Sequence, residues 1–258
     1  MNPDDLRALF ERHASRHVPS AAGFMRRVHE MSQDVYVARI RQYGFIGKCV
    51  VLDAGCGFGQ WSLAFAAHNA RVEACDVSEA RVAFVDDLVA TSKVANIQAR
   101  VADIAKLPWE AGCFDAVFCY GALHLTPWRE TIAELVRVLA PGGLLYVNAN
   151  GFGWYRHMWF AEPHKSPDYD PRMRAAETLV NTCRYDRGEA PEPGMDIVIE
   201  PDALISRMNA LDVDVVERAD EGCAGATDLP AARAKAFFRG RYGDDLGIYE
   251  VLGRKRGG

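Results

Sequence analysis

The stretch KCVVLDAGCGFGQWSLAFAAH, Lys48 to His68, joins an apolar run to an amphipathic one through three glycines in five positions. A short apolar run that meets glycines and then a helix-period pattern reads as a buried strand feeding a helix. Glycine lacks Cβ and tolerates positive φ, so Gly55, Gly57 and Gly59 let a flat or charged ligand touch the backbone. The helix that follows adds free N–H groups at its start. The loop therefore answers to a ligand at the carboxyl end of the strand.

Working outward, strand and helix patterns alternate from Cys49 to Asn150. CVVLDAG, RVEACD, IQARVAD, FDAVFCYG and LLYVNAN read as strands. Between them QWSLAFAAHN, SEARVAFVDDLVATSK and PWRETIAELVRVLA read as helices, the last ended by Pro141-Gly142-Gly143. Strands separated by helix-length segments pair in parallel through right-handed crossovers, which predicts an α/β doubly wound sheet. The pattern lapses over 151–200, a segment rich in aromatics, prolines and histidines, with a helix in RMRAAETLVNTCRYD. So long a lapse reads as an inserted cap. Core elements resume over 201–255 with the helix PDALISRMNALD and the strands VDVVERA and GIYEVLGRK, between which LPAARAKAFFRG reads as a basic helix. The first 47 residues read as a helical cap, one helix in PDDLRALFERHAS and a longer one in AAGFMRRVHEMSQDVYVARIRQYG. Met25, Val28, Met31 and Val35 lie at core-facing spacing in the longer one.

A dinucleotide fingerprint wants G-x-G-x-x-G, but here the sixth position is Gln60, and a Walker-type G-K-[ST] is absent. Asp76 ends the second strand in ACDVS, and Asp103 ends the third in VADI. With these in place the residues resemble the class I S-adenosylmethionine-dependent methyltransferases, in their small-molecule, quinone-biosynthesis-like branch. VVLDAGCGFGQWS resembles that family's first motif, CDVS its ribose-binding acid, and ADIAKLPWEAGCFDAVFCYGALHLT its adenine and fourth-strand motifs. ELVRVLAPGGLLYVN resembles the helix, turn and fifth strand that close the core.

The resemblance implies a seven-stranded sheet in the order 3-2-1-4-5-7-6 within one domain. The cofactor it implies is S-adenosyl-L-methionine, leaving as S-adenosyl-L-homocysteine. Asp76 is then the acceptor for both ribose hydroxyls, with Val77 beside it, while Asp103 and the Ile104 backbone meet the adenine. Asp53, Gly55, Cys56, Gly57, Gly59, Gln60 and Trp61 form the donor loop, and the backbone at Tyr120 receives the methionine end. His124 is the candidate general base, since an imidazole titrates near pH ~6.5; packing on the cofactor is its alternative role. Tyr36, Trp154, Tyr155, His157 and Trp159 join His124 as candidate acceptor contacts. Arg39 and Tyr43 on the longer N-terminal helix are placed to reach the donor.

The formal net charge of −5 offers no general attraction to phosphate backbones, so nucleic acid is disfavoured as a partner. Seven cysteines without a C-x-x-C pair argue against a zinc site or disulfide framework. His157, His164, Asp168 and Asp170 match no standard metal spacing. The N-terminus is acidic where a secretory signal is basic, and no apolar run reaches membrane-spanning length, so the expected setting is cytoplasmic. The turn CYGALH lacks the Pro-Pro turn of nucleobase-amine methylation, the Pro-Cys nucleophile of cytosine C5 methylation and the acidic metal ligand of catechol-type enzymes. What remains is metal-independent methylation of an oxygen or nitrogen on a small molecule. Its rivals are a tRNA or protein methyltransferase docking through Arg233, Lys235, Arg239 and Arg241, and a non-catalytic donor-binding sensor or accessory subunit. The oligomeric state is open.

Overall fold

A computed structural model describes residues 3–225 and 236–257. β1 (Val50–Ala54), β2 (Arg71–Asp76), β3 (Ile97–Val101), β4 (Phe114–Cys119) and β5 (Leu139–Asn150) pair in parallel. β6 (Val213–Asp220) follows, then a small hairpin of β7 (Arg241–Tyr242) and β8 (Asp245–Leu246), then β9 (Ile248–Lys255). β9 runs antiparallel between β5 and β6, and the sheet order is β3-β2-β1-β4-β5-β9-β6. Since the hairpin stands outside the sheet, β9 is its seventh strand, and the order is the expected one.

Both faces of the sheet are covered, as a parallel sheet requires, and alternate residues of each strand supply two separate cores. On one face Leu52, Val117 and Leu145 pack with Ile132 and Leu135 of α6 (Trp128–Val138) and Leu204 of α9 (Pro201–Ala210). On the other, Val51, Phe118 and Tyr146 pack with Trp61 and Phe65 of α4 (Gln60–Ala66).

The N-terminal 47 residues hold three helices: α1 (Pro3–Ala14), α2 (Pro19–Glu30) and α3 (Gln33–Gln42). The single long helix read from the sequence is thus broken at Met31-Ser32, where the Ser32 hydroxyl accepts from the Asp34 N–H at 3.3 Å. The break has a packing reason. Met25 and Val28 of α2 bury against Phe58, Phe84 and Leu88, the last two on α5 (Glu79–Ser92), whereas Tyr36 and Ile40 of α3 bury on the sheet. One straight helix would not serve both surfaces.

A second difference lies at Pro141-Gly142-Gly143, which falls within β5 and not between it and α6. Leu139 already pairs with Phe114, and the register then shifts. A Cβ on Gly143 would sit 2.6 Å from Leu139 Cδ1 and 2.8 Å from the Ala140 carbonyl, so only glycine fits this irregularity. In the 151–200 segment, α7 (Phe152–Ala161) occupies the aromatic stretch read as irregular, and α8 (Pro171–Asp186) contains the expected helix. Asp170 caps α8 by accepting the N–H groups of Arg172 and Met173. The chain then returns across the strand ends, Ile197 N–H donating to His124 O and Ile199 N–H to Asn150 O. Of the expected basic helix, Arg233 and Lys235 lie outside the described residues; residues 236–240 are not helical, and Arg241 opens β7 and faces Asp220.

α3 is anchored by a fully buried charge. Arg39 pairs with Glu221 at 2.8 Å and with Glu250 of β9, and it also donates to Tyr43. Burial works against the guanidinium, but Tyr146, Tyr43 and the two carboxylates override it and hold the charge firmly in place. Burial in turn raises Glu250, with Arg39 and the Tyr43 hydroxyl opposing. Arg39→Met leaves two carboxylates buried without their cation, and we expect urea unfolding to show a loss of about 3–5 kcal/mol. A loss under about 1 kcal/mol would mean the network holds nothing together.

Candidate functional site

The three loop glycines all have positive φ: 76° at Gly55, 57° at Gly57 and 74° at Gly59. Their surroundings differ. A Cβ on Gly55 would lie 2.5 Å from Ala122 Cβ, so this glycine lets the loop close on the turn after β4. A Cβ on Gly57 would meet nothing within 4 Å, which leaves that backbone open. The N–H groups of Gly55 and Cys56 both donate to Cys75 O at 2.8 Å, and Gly57 N–H donates to Asp76 Oδ2 at 3.1 Å. The end of β1 is thereby laced to the end of β2.

Asp76 also accepts from Ser78 N–H at 2.9 Å and, weakly, from Arg81 at 3.4 Å. Arg81 is partly exposed and its contact is the longest of the three. Val77 beside it is 72% exposed, an apolar side chain facing outward at the strand end. Asp103 is exposed and spends one oxygen on Ala105 N–H at 2.8 Å, while Ile104 packs inward. Cys56 is buried and its thiol is pushed up by burial, so it is packing and not a nucleophile.

Asp53 is enclosed beneath the loop and accepts the Ser62 hydroxyl at 2.6 Å. Burial raises its pKa to about 7, with Ser62 opposing and Asp76 adding repulsion. Gln60 Oε1 and Trp61 Nε1 are buried without hydrogen-bond partners among the described residues, and so is His17 Nε2. The His17 ring stands edge-on to Phe58 at 5.1 Å, so these orphaned atoms flank one loop. Each costs about 1–3 kcal/mol while unmet. An open backbone, a carboxylate with acceptor capacity and orphaned polar atoms around it fit a polar, nucleoside-sized ligand.

The other expected residues fall into two groups. Tyr120 sends its hydroxyl to Glu221 at 2.8 Å, into the Arg39 network, so only its backbone faces the strand ends. Tyr36 is buried, donating to Val28 O at 2.8 Å and standing edge-on to Trp61 at 4.9 Å. Trp154 and His157 share one face of α7 and meet Tyr242. Tyr155 occupies the opposite face, buried, with Asn150 donating to its hydroxyl at 3.4 Å. Trp159 is exposed, and its carbonyl accepts from Arg172. The structure thus does not gather the candidate acceptor contacts Tyr36, Trp154, Tyr155, His157 and Trp159 around one point. Asp168 serves Ser20 N–H and the Ser166 hydroxyl, Asp170 caps α8, and no group of three metal-ligating side chains forms among the described residues.

His124 sits in a single 3-10 turn, Leu123–Leu125, with Nε2 3.8 Å from Asp196 Oδ1. Arg174 grips Asp196 through two hydrogen bonds of 2.9 Å. Burial lowers the His124 pKa, Asp196 opposes and Arg174 reinforces, so the ring is neutral near pH 7. Its Nδ1 has no partner among the described residues. Asp196 and Arg174 carried no signal in the sequence, because only the fold brings an acid 72 positions away to this ring.

Residues 51–143 match a family model described as a methyltransferase domain. That match and the sheet order above support a class I S-adenosylmethionine-dependent methyltransferase. The chain is 34% identical over 100 residues to a ubiquinone biosynthesis O-methyltransferase of Marinobacter nauticus, covering 38% of the chain and 42% of the relative. It is 31% identical over 143 residues to a malonyl-[acyl-carrier protein] O-methyltransferase of Herminiimonas arsenicoxydans, covering 54% and 49%. It spans about half the length of these curated relatives or less. A geranyl diphosphate methyltransferase solved in complex with SAM shares the fold, with a TM-score of 0.59, 17% identity and coverage of 95% and 94%. Among the described residues, no helix is long and apolar enough to cross a membrane.

The Asp53 environment has a measurable consequence. A carboxyl whose folded pKa is raised to about 7 adds stability below the unfolded value near ~3.9, and loses it as pH rises toward 7. The wild type should therefore lose stability relative to Asp53→Asn between pH 4 and 7, at up to about 1.4 kcal/mol per pH unit. Parallel stability curves for the two proteins would refute the buried neutral acid.

Proposed function

We propose that this protein transfers the methyl group of S-adenosylmethionine to an oxygen or nitrogen of a small molecule, without a metal ion. The observation behind the reading is the open backbone at Gly57 beside the buried carboxylate of Asp76. There Asp76 would hold the ribose hydroxyls, Asp103 and Ile104 the adenine, and the glycine loop the methionine end. When bound, the sulfonium supplies an already activated methyl group. The protein's remaining task is to position the acceptor and accept its proton. His124 would take that proton; in support, it is neutral near pH 7 and bonded at neither nitrogen by anything closer than Asp196 at 3.8 Å. Asp196, held by Arg174, is the carboxylate that would stabilise the imidazolium. The small-molecule O-methyltransferases among the relatives support this class of acceptor.

Calorimetric titration with S-adenosylhomocysteine tests the donor site. Saturable binding is expected in the wild type, with at least roughly tenfold weaker binding in Asp76→Ala. Equal affinity in the two proteins would remove Asp76 from the site. For His124, the acceptor would come from product formation in a metabolite extract. His124→Gln should lower kcat by about 10²–10⁴ and leave donor affinity intact. In the wild type kcat should rise with pH through a pKa below the usual imidazole value, and a pH-independent rate would leave His124 as packing only.

A further inference from the structure

A cavity of about 390 Å³ opens between α7 and the β7–β8 hairpin, a size within the range of small-molecule pockets. Its apolar wall is aromatic. His157 stacks on Tyr242 at 4.1 Å with planes 16° apart, and Trp154 lies 6.0 Å from Tyr242 and 5.9 Å from Phe238. The remaining polar groups are Arg239 and His164, and no Asp or Glu stands among the described lining residues. Arg239 is exposed and forms no ion pair among the described residues, while Asp245 in the hairpin is already engaged by Arg156. Arg239 and His164 both reach His157 electrostatically, each disfavouring its protonation after burial has done so. The cavity is therefore flat-walled and positive.

Its geometry is built in. A Cβ on Gly153 would come within 2.6 Å of Leu246 O, and one on Gly151 within 2.8 Å of the same carbonyl. Glycine at both positions lets α7 settle directly on the hairpin, which is what sets Trp154 and His157 over Tyr242. Gly247 has no Cβ for a similar reason, since one would stand 2.7 Å from the Tyr242 ring. On the other wall, the Phe237 and Phe238 N–H groups both donate to Glu221 Oε2. The strand-end network thus fixes the segment that bears Arg239. Phe237 also borders the glycine-loop side, 5.9 Å from Trp61 and 6.2 Å from Tyr120.

We propose that this cavity is the acceptor subsite and that it selects a flat, anionic molecule, an aryl carboxylate or aryl phosphate. The ring would lie against the Trp154–Tyr242–Phe238 wall, and the anion would meet Arg239. An aromatic face supplies stacking area, and a guanidinium with no carboxylate partner among the described residues supplies a charge-assisted hydrogen bond. The word acceptor rests on the methyl-transfer reading above; the preference for aryl anions does not.

The test titrates the 258-residue protein with 6-hydroxy-2-naphthoate, 1-naphthyl phosphate and neutral 2-naphthol, with S-adenosylhomocysteine measured in parallel. The two anions should bind at least roughly tenfold tighter than 2-naphthol, a single charge-assisted contact's worth. Arg239→Gln should abolish that preference while leaving S-adenosylhomocysteine affinity unchanged, and Trp154→Ala should weaken all three aryl probes. Equal affinity for charged and neutral probes, no saturable binding by any of them, or a preference that survives Arg239→Gln would each overturn the proposal. If the wild type binds the anions but not S-adenosylhomocysteine, the methyl-transfer reading falls and the aryl-anion site stands.

Discussion

The three N–H groups that tie Gly55, Cys56 and Gly57 to the end of β2 are the contacts on which the rest of the site depends. They bring the unhindered backbone at Gly57 and the Asp76 carboxylate to one place at the carboxyl ends of two adjacent parallel strands. Parallel strands cannot be joined by a tight turn, so each ends in a loop on the same side of the sheet. Left-handed backbone at Gly55 and Gly57 turns those N–H groups toward β2, and a side chain at Gly55 would collide with Ala122. The placement of Asp53, Gln60 and Trp61 follows from this lacing, because all three hang from the same short segment.

A second set of forces decides what lies over that loop. Phe58 is swallowed by α2 and α5, and its carbonyl accepts from His29 at 2.8 Å. Burial lowers the His29 pKa to about 4 despite that bond, so the contact is held by a neutral ring. Arg39 does for α3 what Phe58 does for α2. It joins the N-terminal helices to β9 and to Glu221, and Glu221 in turn holds Tyr120 and the backbone of Phe237 and Phe238. One buried cation therefore links four segments distant in sequence. Replacing Arg39, Glu221 and Glu250 together with apolar residues would be near neutral for stability, unlike removing Arg39 alone, but the geometry the network imposes on the strand ends would be lost.

The division of α7 into two faces explains why the aromatic segment resists reading as a single cage. Trp154 and His157, three apart, look toward the hairpin, while Tyr155 and Met158 look toward α8. A helix separates neighbours in sequence by about 100°, so residues that cluster in a sequence window disperse in space. The same geometry makes Trp159 a surface residue despite its size.

The sequence by itself determined the strands and the glycine loop, because these rest on local signals: apolar runs, glycines at fixed spacing, and acids at strand ends; the strand order came with the family resemblance those motifs carry. RVEACD is a strand at the residues expected, and Asp76 stands where its position in ACDVS put it. It did not determine the break at Ser32, the bulged start of β5 or the helix over Phe152–Ala161, since each answers to a surface contributed by distant chain. Nor did it reveal Asp196 beside His124, Glu221 beside Arg39, or Tyr242 beneath His157. Those pairings join residues about 70 to 180 positions apart, and a long-range contact leaves no periodic trace in either partner. Spacing encodes the glycine loop; only packing decides which side chains meet across the strand ends.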